Sequence, residues 1–125
     1  LEEVKKSQSM HPKALVLVHP ECEKEITAEA DFIGSTSEII SFATEKEEKE
    51  YLIGTEDGVF YELRKKNPNK RFYPICSRQS CAGMKRITLE KVYHCIKDEN
   101  NEVIIKEETR KKAKEALDRM LELAK

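Results

Sequence analysis

Four short apolar runs recur at roughly twenty-residue intervals, at 14–18, 31–34, 50–54 and 71–75, and a stretch with helical spacing follows each. This rhythm most restricts what the chain can fold into. Strands that alternate with helices need crossover connections, and these favour a parallel sheet with right-handed crossovers. The run Leu15-Val16-Leu17-Val18 is apolar at every position. That is the pattern of a strand covered on both faces rather than one. The expected fold is a single three-layer α/β/α domain with a four-stranded parallel sheet plus a C-terminal helix. The domain is expected over 1–106 and the helix over 107–125.

The connections refine this expectation. The segment 1–9 reads as the end of a helix, stopped before His11-Pro12. Pro20 suits the first turn of a helix, which is expected to run to about Ala30. Ser35-Thr36-Ser37-Glu38 is a capping box that opens a helix burying Ile39, Ile40 and Ala43. Thr55 is expected to cap a helix whose inner face is Val59, Phe60 and Leu63. Pro74 implies that pairing stops there or that its strand lies on an edge of the sheet. The segment 76–85 reads as an irregular loop. Thr88 caps a further helix carrying Leu89, Val92, Tyr93 and Ile96, with Cys95 as a small core residue. The last helix, from Glu107, carries Ala113, Ala116, Leu117, Met120, Leu121 and Ala124 on one side. It leaves the strand–helix rhythm, so it is the element expected to pack on something outside the unit.

Composition excludes several classes of function. The 23 basic and 24 acidic residues give a net charge of −1, which offers no electrostatic argument for nucleic acid or an anionic membrane. No apolar run approaches the roughly 18 residues that a membrane helix needs. The first residues show no basic, apolar, small-residue pattern, so secretion is not expected. The four cysteines, Cys22, Cys76, Cys81 and Cys95, are therefore expected to be reduced thiols or metal ligands in a cytoplasmic protein.

In a parallel sheet the carboxyl ends of all strands share one edge, where ligands bind in open α/β folds. Four segments meet there: His19-Pro20-Glu21, Gly34-Ser35-Thr36-Ser37, Gly54-Thr55-Glu56, and the loop with Cys76 and Cys81. Glu21 is a candidate general base and His19 a base or hydrogen-bond donor. Both also suit an ordinary helix entry. The start at Ser35 and Thr36 offers free amides and hydroxyls to a phosphate or carboxylate, or forms a plain cap. Cys76 and Cys81 make a single pair where zinc sites usually show two. A cluster ligand given singly from the loop is the other reading, and Arg78, Lys85 and Arg86 nearby would favour a thiolate. No Gly-x-Ser-x-Gly elbow supports a hydrolase.

Five segments in register carry a resemblance. They are Val18-His19-Pro20-Glu21-Cys22, Ala30-Asp31-Phe32-Ile33-Gly34-Ser35-Thr36-Ser37, Ile53-Gly54-Thr55-Glu56, Phe72-Tyr73-Pro74, and Cys81-Ala82-Gly83-Met84-Lys85-Arg86-Ile87-Thr88-Leu89-Glu90. Together they resemble the carboxyl-terminal third of quinolinate synthase. The resemblance implies an iron–sulfur enzyme of NAD biosynthesis that condenses iminoaspartate with dihydroxyacetone phosphate to quinolinate. It implies three similar α/β domains that each give one cysteine to a 4Fe-4S cluster with one iron open to substrate. By this resemblance Cys81 is the cluster ligand and Glu21 the acid/base. The resemblance also implies that His19, Pro20, Glu21, Ser35 and Thr36 bind substrate, with His19 also catalytic. It also implies that two further domains, with the other two ligands, are partners of this one, and that these residues alone are inactive. Cys76 departs from the pattern, as an incidental thiol or a disulfide partner of Cys81. Two readings stay beside this one: a non-catalytic module for a phosphorylated metabolite, and a zinc-binding structural domain built on Cys76 and Cys81.

Overall fold

The computed structural model describes residues 1–77 and 79–124. The chain divides into two compact units, Leu1–Arg86 and Ile87–Lys125. The first is the α/β unit. In chain order it holds α1 (Glu2–Met10), β1 (Leu15–Val18), α2 (Lys24–Thr27), β2 (Phe32–Ile33), α3 (Thr36–Glu45), β3 (Glu50–Gly54), α4 (Val59–Lys66), β4 (Arg71–Pro74) and the 3-10 turn Met84–Arg86. The four strands form one parallel sheet in the order β2-β1-β3-β4. Pro74 does sit in an edge strand.

Alternation along the strands sorts the core into two layers. Leu17, Tyr51, Ile53 and Phe72 face Ile39 and Ala43 of α3 and Val59, Phe60 and Leu63 of α4. Val16, Val18, Leu52 and Ile75 face the other side, with Val4 of α1 and Ile26 beyond α1 in α2. Both faces of β1 and β3 are thus covered, as their unbroken apolar runs require. The sandwich is α/β/α, with α1 and α2 on one face and α3 and α4 on the other.

Two helix entries differ from the sequence reading. The helix expected from Pro20 begins only at Lys24 and lasts one turn. His19 is the reason: its carbonyl accepts the Cys22 N–H at 3.0 Å and its Nδ1 accepts the Glu21 N–H at 3.3 Å. The backbone therefore turns before it can enter a helix. Thr55 does not cap α4, whose N-cap is Gly58. The Glu56 carboxylate takes the Gly58 N–H at 2.7 Å, and the Glu56 carbonyl takes that of Val59. These bonds close a tight turn and move the helix start along the chain. By contrast, the capping box at α3 forms as expected. Ser35 Oγ accepts the Glu38 N–H at 3.4 Å, and the Ser35 N–H donates to Glu38 Oε2 at 2.7 Å.

The second unit holds α5 (Leu89–Lys97) and α6 (Glu107–Leu123). The compact α/β unit ends at Arg86, and none of the apolar positions of α5 is buried. Thr88 caps α5 through the Lys91 N–H at 3.3 Å. Cys95, expected in a core, is half-buried and donates to the Asn100 carbonyl. Leu89, Val92, Tyr93 and Ile96 of α5 and Leu117, Met120 and Leu121 of α6 are all exposed. Among the described residues no helix is long and apolar enough to cross a membrane.

Candidate functional site at the carboxyl edge of the sheet

In the order β2-β1-β3-β4 the chain leaves β1 in one direction and returns to build β3 on its other side. The crevice outside the ends of β1 and β3 is therefore the topological switch point, where open α/β sheets take their ligands. The sequence places His19, Pro20, Glu21 and Cys22 directly after β1, and Thr55 and Glu56 directly after β3. The two ends are tied together. Gly54 O accepts the His19 N–H at 3.0 Å and the Cys22 thiol at 3.3 Å.

His19 is half-buried and Glu21 fully exposed. Glu21 Oε2 lies 3.8 Å from His19 Nδ1, while that same nitrogen accepts the Glu21 N–H at 3.3 Å. The two contacts exclude each other, since an ion pair needs a proton on Nδ1 and the amide bond needs its lone pair. The amide bond is the shorter. It leaves the neutral ring with its proton on Nε2, ready to donate to a ligand. Glu21 has a free carboxylate at the edge, placed by the same turn. Pro20 is exposed between them and shapes that turn.

Across the ladder Val18 pairs with Ile33, so α3 begins beside the end of β1. Ser35 spends its hydroxyl and its N–H on the capping box. The Glu38 carboxylate sits at that helix start and is held below the usual carboxylate range by the Ser35 side chain and backbone. The Thr36 and Ser37 amides have no intrahelical acceptor. These amides and the Thr36 hydroxyl are what α3 can offer an anion.

A cavity of about 330 Å³ opens beside Gly54. Cys22, Ile26, Thr55, Ile75, Cys76 and Cys81 line it. Burial above all pushes the Cys22 thiol up from its ordinary pKa, with Cys76 and Glu23 adding to the rise against the His19 backbone. Cys22 is thus a protonated hydrogen-bond donor rather than a thiolate. Cys81 is exposed. Among the described residues no three His, Cys, Asp or Glu side chains gather as a metal site. One exposed thiol on a loop fits a single ligand given to a group shared with other parts of a protein. Among the described residues it is not part of a complete metal site.

Sequence reading missed what builds the loop between β4 and Arg86. Gln79 Nε2 donates to Ile53 O at 2.6 Å and to Thr55 O at 2.8 Å, and Gln79 O accepts the Asp57 N–H at 3.1 Å. Lys85 Nζ lies 2.9 Å from Glu56 Oε1 and 2.6 Å from Asp57 Oδ1. At these distances the ammonium clasps both carboxylates, and Asp57 and then Glu56 push Lys85 up from its ordinary pKa. Its charge is committed to the two carboxylates and not to a thiol. Arg78 lies outside the described residues. Nothing in local sequence marks Gln79 or Asp57, because their partners are distant along the chain.

The family model described as Quinolinate synthetase A protein matches residues 1–122. Curated relatives with the name quinolinate synthase agree with it. One from Caldicellulosiruptor bescii is 48% identical over 122 residues, which cover 98% of this chain and 40% of the relative. One from Alkaliphilus metalliredigens is 45% identical over 97% of this chain and 40% of its own length. Quinolinate synthase 2 of Methanosarcina acetivorans is 40% identical over 98% of the chain and 40% of the relative. The chain spans about two fifths of the length of the curated relatives it matches.

Proposed function

The chain belongs to the quinolinate synthetase A family, and on that premise we propose that it supplies one wall of a quinolinate synthase active site. The reaction proposed is the condensation of iminoaspartate with dihydroxyacetone phosphate in NAD biosynthesis. The observation that carries the reading is the switch-point edge, where His19 and Cys22, on either side of Glu21, are tied to the end of β3 through Gly54. Family membership does not favour the metabolite-binding module or the zinc domain.

The proposed roles rest on the resemblance to the family, and the geometry supports those of His19 and Glu21. His19 presents Nε2–H to a substrate carboxylate or carbonyl oxygen, because Nδ1 is occupied by the Glu21 amide. Glu21, exposed beside it, takes and returns a proton at its carboxylate. Pro20 fixes the turn between them. The Thr36 amide and hydroxyl, next to a helix start already capped by Ser35, hold an anionic group of the substrate. Cys81 gives its thiolate to a 4Fe-4S cluster whose other ligands come from parts of the enzyme outside these residues. When bound, such a cluster with an open iron supplies Lewis-acid polarisation of a substrate oxygen or nitrogen. The proposed partners are therefore the two substrates and the two further domains of the same enzyme. The proposed location is the cytoplasm.

The test is a chimera in which these residues replace the matching segment of the Caldicellulosiruptor bescii relative, reconstituted with iron and sulfide. It should form quinolinate and absorb broadly near about 400 nm. Cys81→Ala should remove the absorbance. Glu21→Gln should keep the absorbance and lower kcat by about a hundredfold or more. Wild-type turnover in Glu21→Gln would remove Glu21 from the mechanism. The 125 residues alone should form no quinolinate.

A further inference from the structure

Ladder pairing between β3 and β4 stops at Pro74, paired with Ile53, after which the Ile75 N–H still reaches Ile53 O at 3.1 Å. The next acceptor on that side, Thr55 O just past the end of β3, would be left to water as the chain leaves the sheet. Instead the Gln79 side-chain amide spans Ile53 O and Thr55 O. A side chain thus adds the rung that the backbone no longer supplies. Gln79 in turn accepts the Cys76 N–H through Oε1 at 3.5 Å and the Asp57 N–H through its carbonyl. Six residues later Lys85 returns to the same segment through Glu56 and Asp57. Its own N–H donates to Cys81 O at 3.0 Å. Cys81 therefore lies between two anchors that both grip residues 53–57. Upstream, Ser77 is held by the Glu3 carboxylate, and Ser7 Oγ donates to Ile75 O.

We propose that Gln79 and Lys85 are positioning residues that together hold the Cys81 loop at the carboxyl end of β3. What Cys81 does there rests on the reading above; that the loop is held in this way does not. The loop has little apolar burial of its own, since 80–86 are all exposed. Polar anchors are then what separates an ordered loop from a locally open one. Gln79→Asn keeps the amide but shortens its reach by one methylene. Lys85→Arg keeps the charge.

Amide hydrogen exchange on the full 125-residue chain, free of iron, tests this. Gln79→Asn, Gln79→Leu and Lys85→Met should each speed exchange of the Asp57 and Lys85 amides by about tenfold or more. The Leu52 and Ile53 amides in β3 should keep their rates, and Lys85→Arg should restore the slow exchange of the Lys85 amide. Unchanged exchange at Asp57 and Lys85 in Gln79→Asn and Lys85→Met would overturn the proposal. So would equal acceleration throughout β3, which would mean that the anchors only stabilise the whole unit. If Gln79→Leu fails to fold, Gln79→Asn and Lys85→Met decide. If the amides respond and the Cys81→Ala chimera still gains its absorbance, the positioning stands and the ligand role of Cys81 falls.

Discussion

A Cβ built on Gly54 lies 2.8 Å from Val18 Cγ1, closer than folded proteins allow. β1 and β3 pair at this point, Val18 opposite Gly54, and Ile75 Cγ2 closes in at 3.3 Å. The absent side chain lets the β1 turn approach the Gly54 carbonyl, which binds both the His19 N–H and the Cys22 thiol.

Gly54→Ala should therefore destabilise the α/β unit by about 1–3 kcal/mol through overpacking. Urea unfolding followed by circular dichroism measures this. A midpoint equal to the parent's would mean that β1 and β4 shift apart without cost.

Tyr51 is completely buried, and its hydroxyl has no hydrogen-bond partner among the described residues. Tyr51→Phe should raise stability by about 1 kcal/mol, the size of a removed orphan group. Burial above all, with Glu48, pushes the phenol up to about 12 from an ordinary 10.0. Because the unfolded chain releases its proton first, stability should hold below pH 10 and fall between pH 10 and about 12. That fall should shrink in Tyr51→Phe. A pH-independent difference between the two proteins would refute the assignment.

Ser35→Ala removes half of the capping box and should lower stability by about 1 kcal/mol. It should also let the Glu38 carboxyl rise toward its ordinary 4.5, since the Ser35 hydroxyl is the main cause of its depression. Carboxyl chemical shifts through an acid titration report this directly. A Glu38 titration that does not move would place the cause elsewhere.

The Lys85 clasp should have two pH limits. Lys85 and, secondly, Glu56 hold the Asp57 carboxyl below 3.8, so this contribution is present above 3.8 and lost as pH falls through the lowered value. Asp57 and then Glu56 push the Lys85 ammonium above 10.5, so its contribution is present below 10.5 and lost as pH rises through the raised value. After correction for intrinsic rates, protection of the Lys85 amide should be flat between these limits. A step near neutral pH would implicate a different group, such as a histidine.

Much of this fold is legible along the chain. The unbroken run at Leu15–Val18 announces a doubly covered strand, and helical spacing picks out Val59, Phe60 and Leu63 as a buried face. Ser35 and Glu38, three residues apart, announce their own capping box. Each of these signals lies within one turn or one strand, where neighbours in sequence are neighbours in space. Helix entries are less legible. His19 turns the chain with its own ring, and Glu56 with its carboxylate, so neither Pro20 nor Thr55 starts the helix it suits. The exposed faces of α5 and α6 carry helical periodicity without the burial it usually implies.

The sequence by itself determined the alternation of strand and helix, the faces of the buried strands and the residues that end at the carboxyl edge. Only the tertiary structure decided that the edge between β1 and β3 is the switch point. It also decided that Gln79 completes the β3 ladder and that Lys85 returns to Glu56 and Asp57. Periodicity and capping act over a few residues, so they are written locally. A rung supplied by a side chain more than twenty residues away depends on strand order and register, which exist only once the sheet has formed.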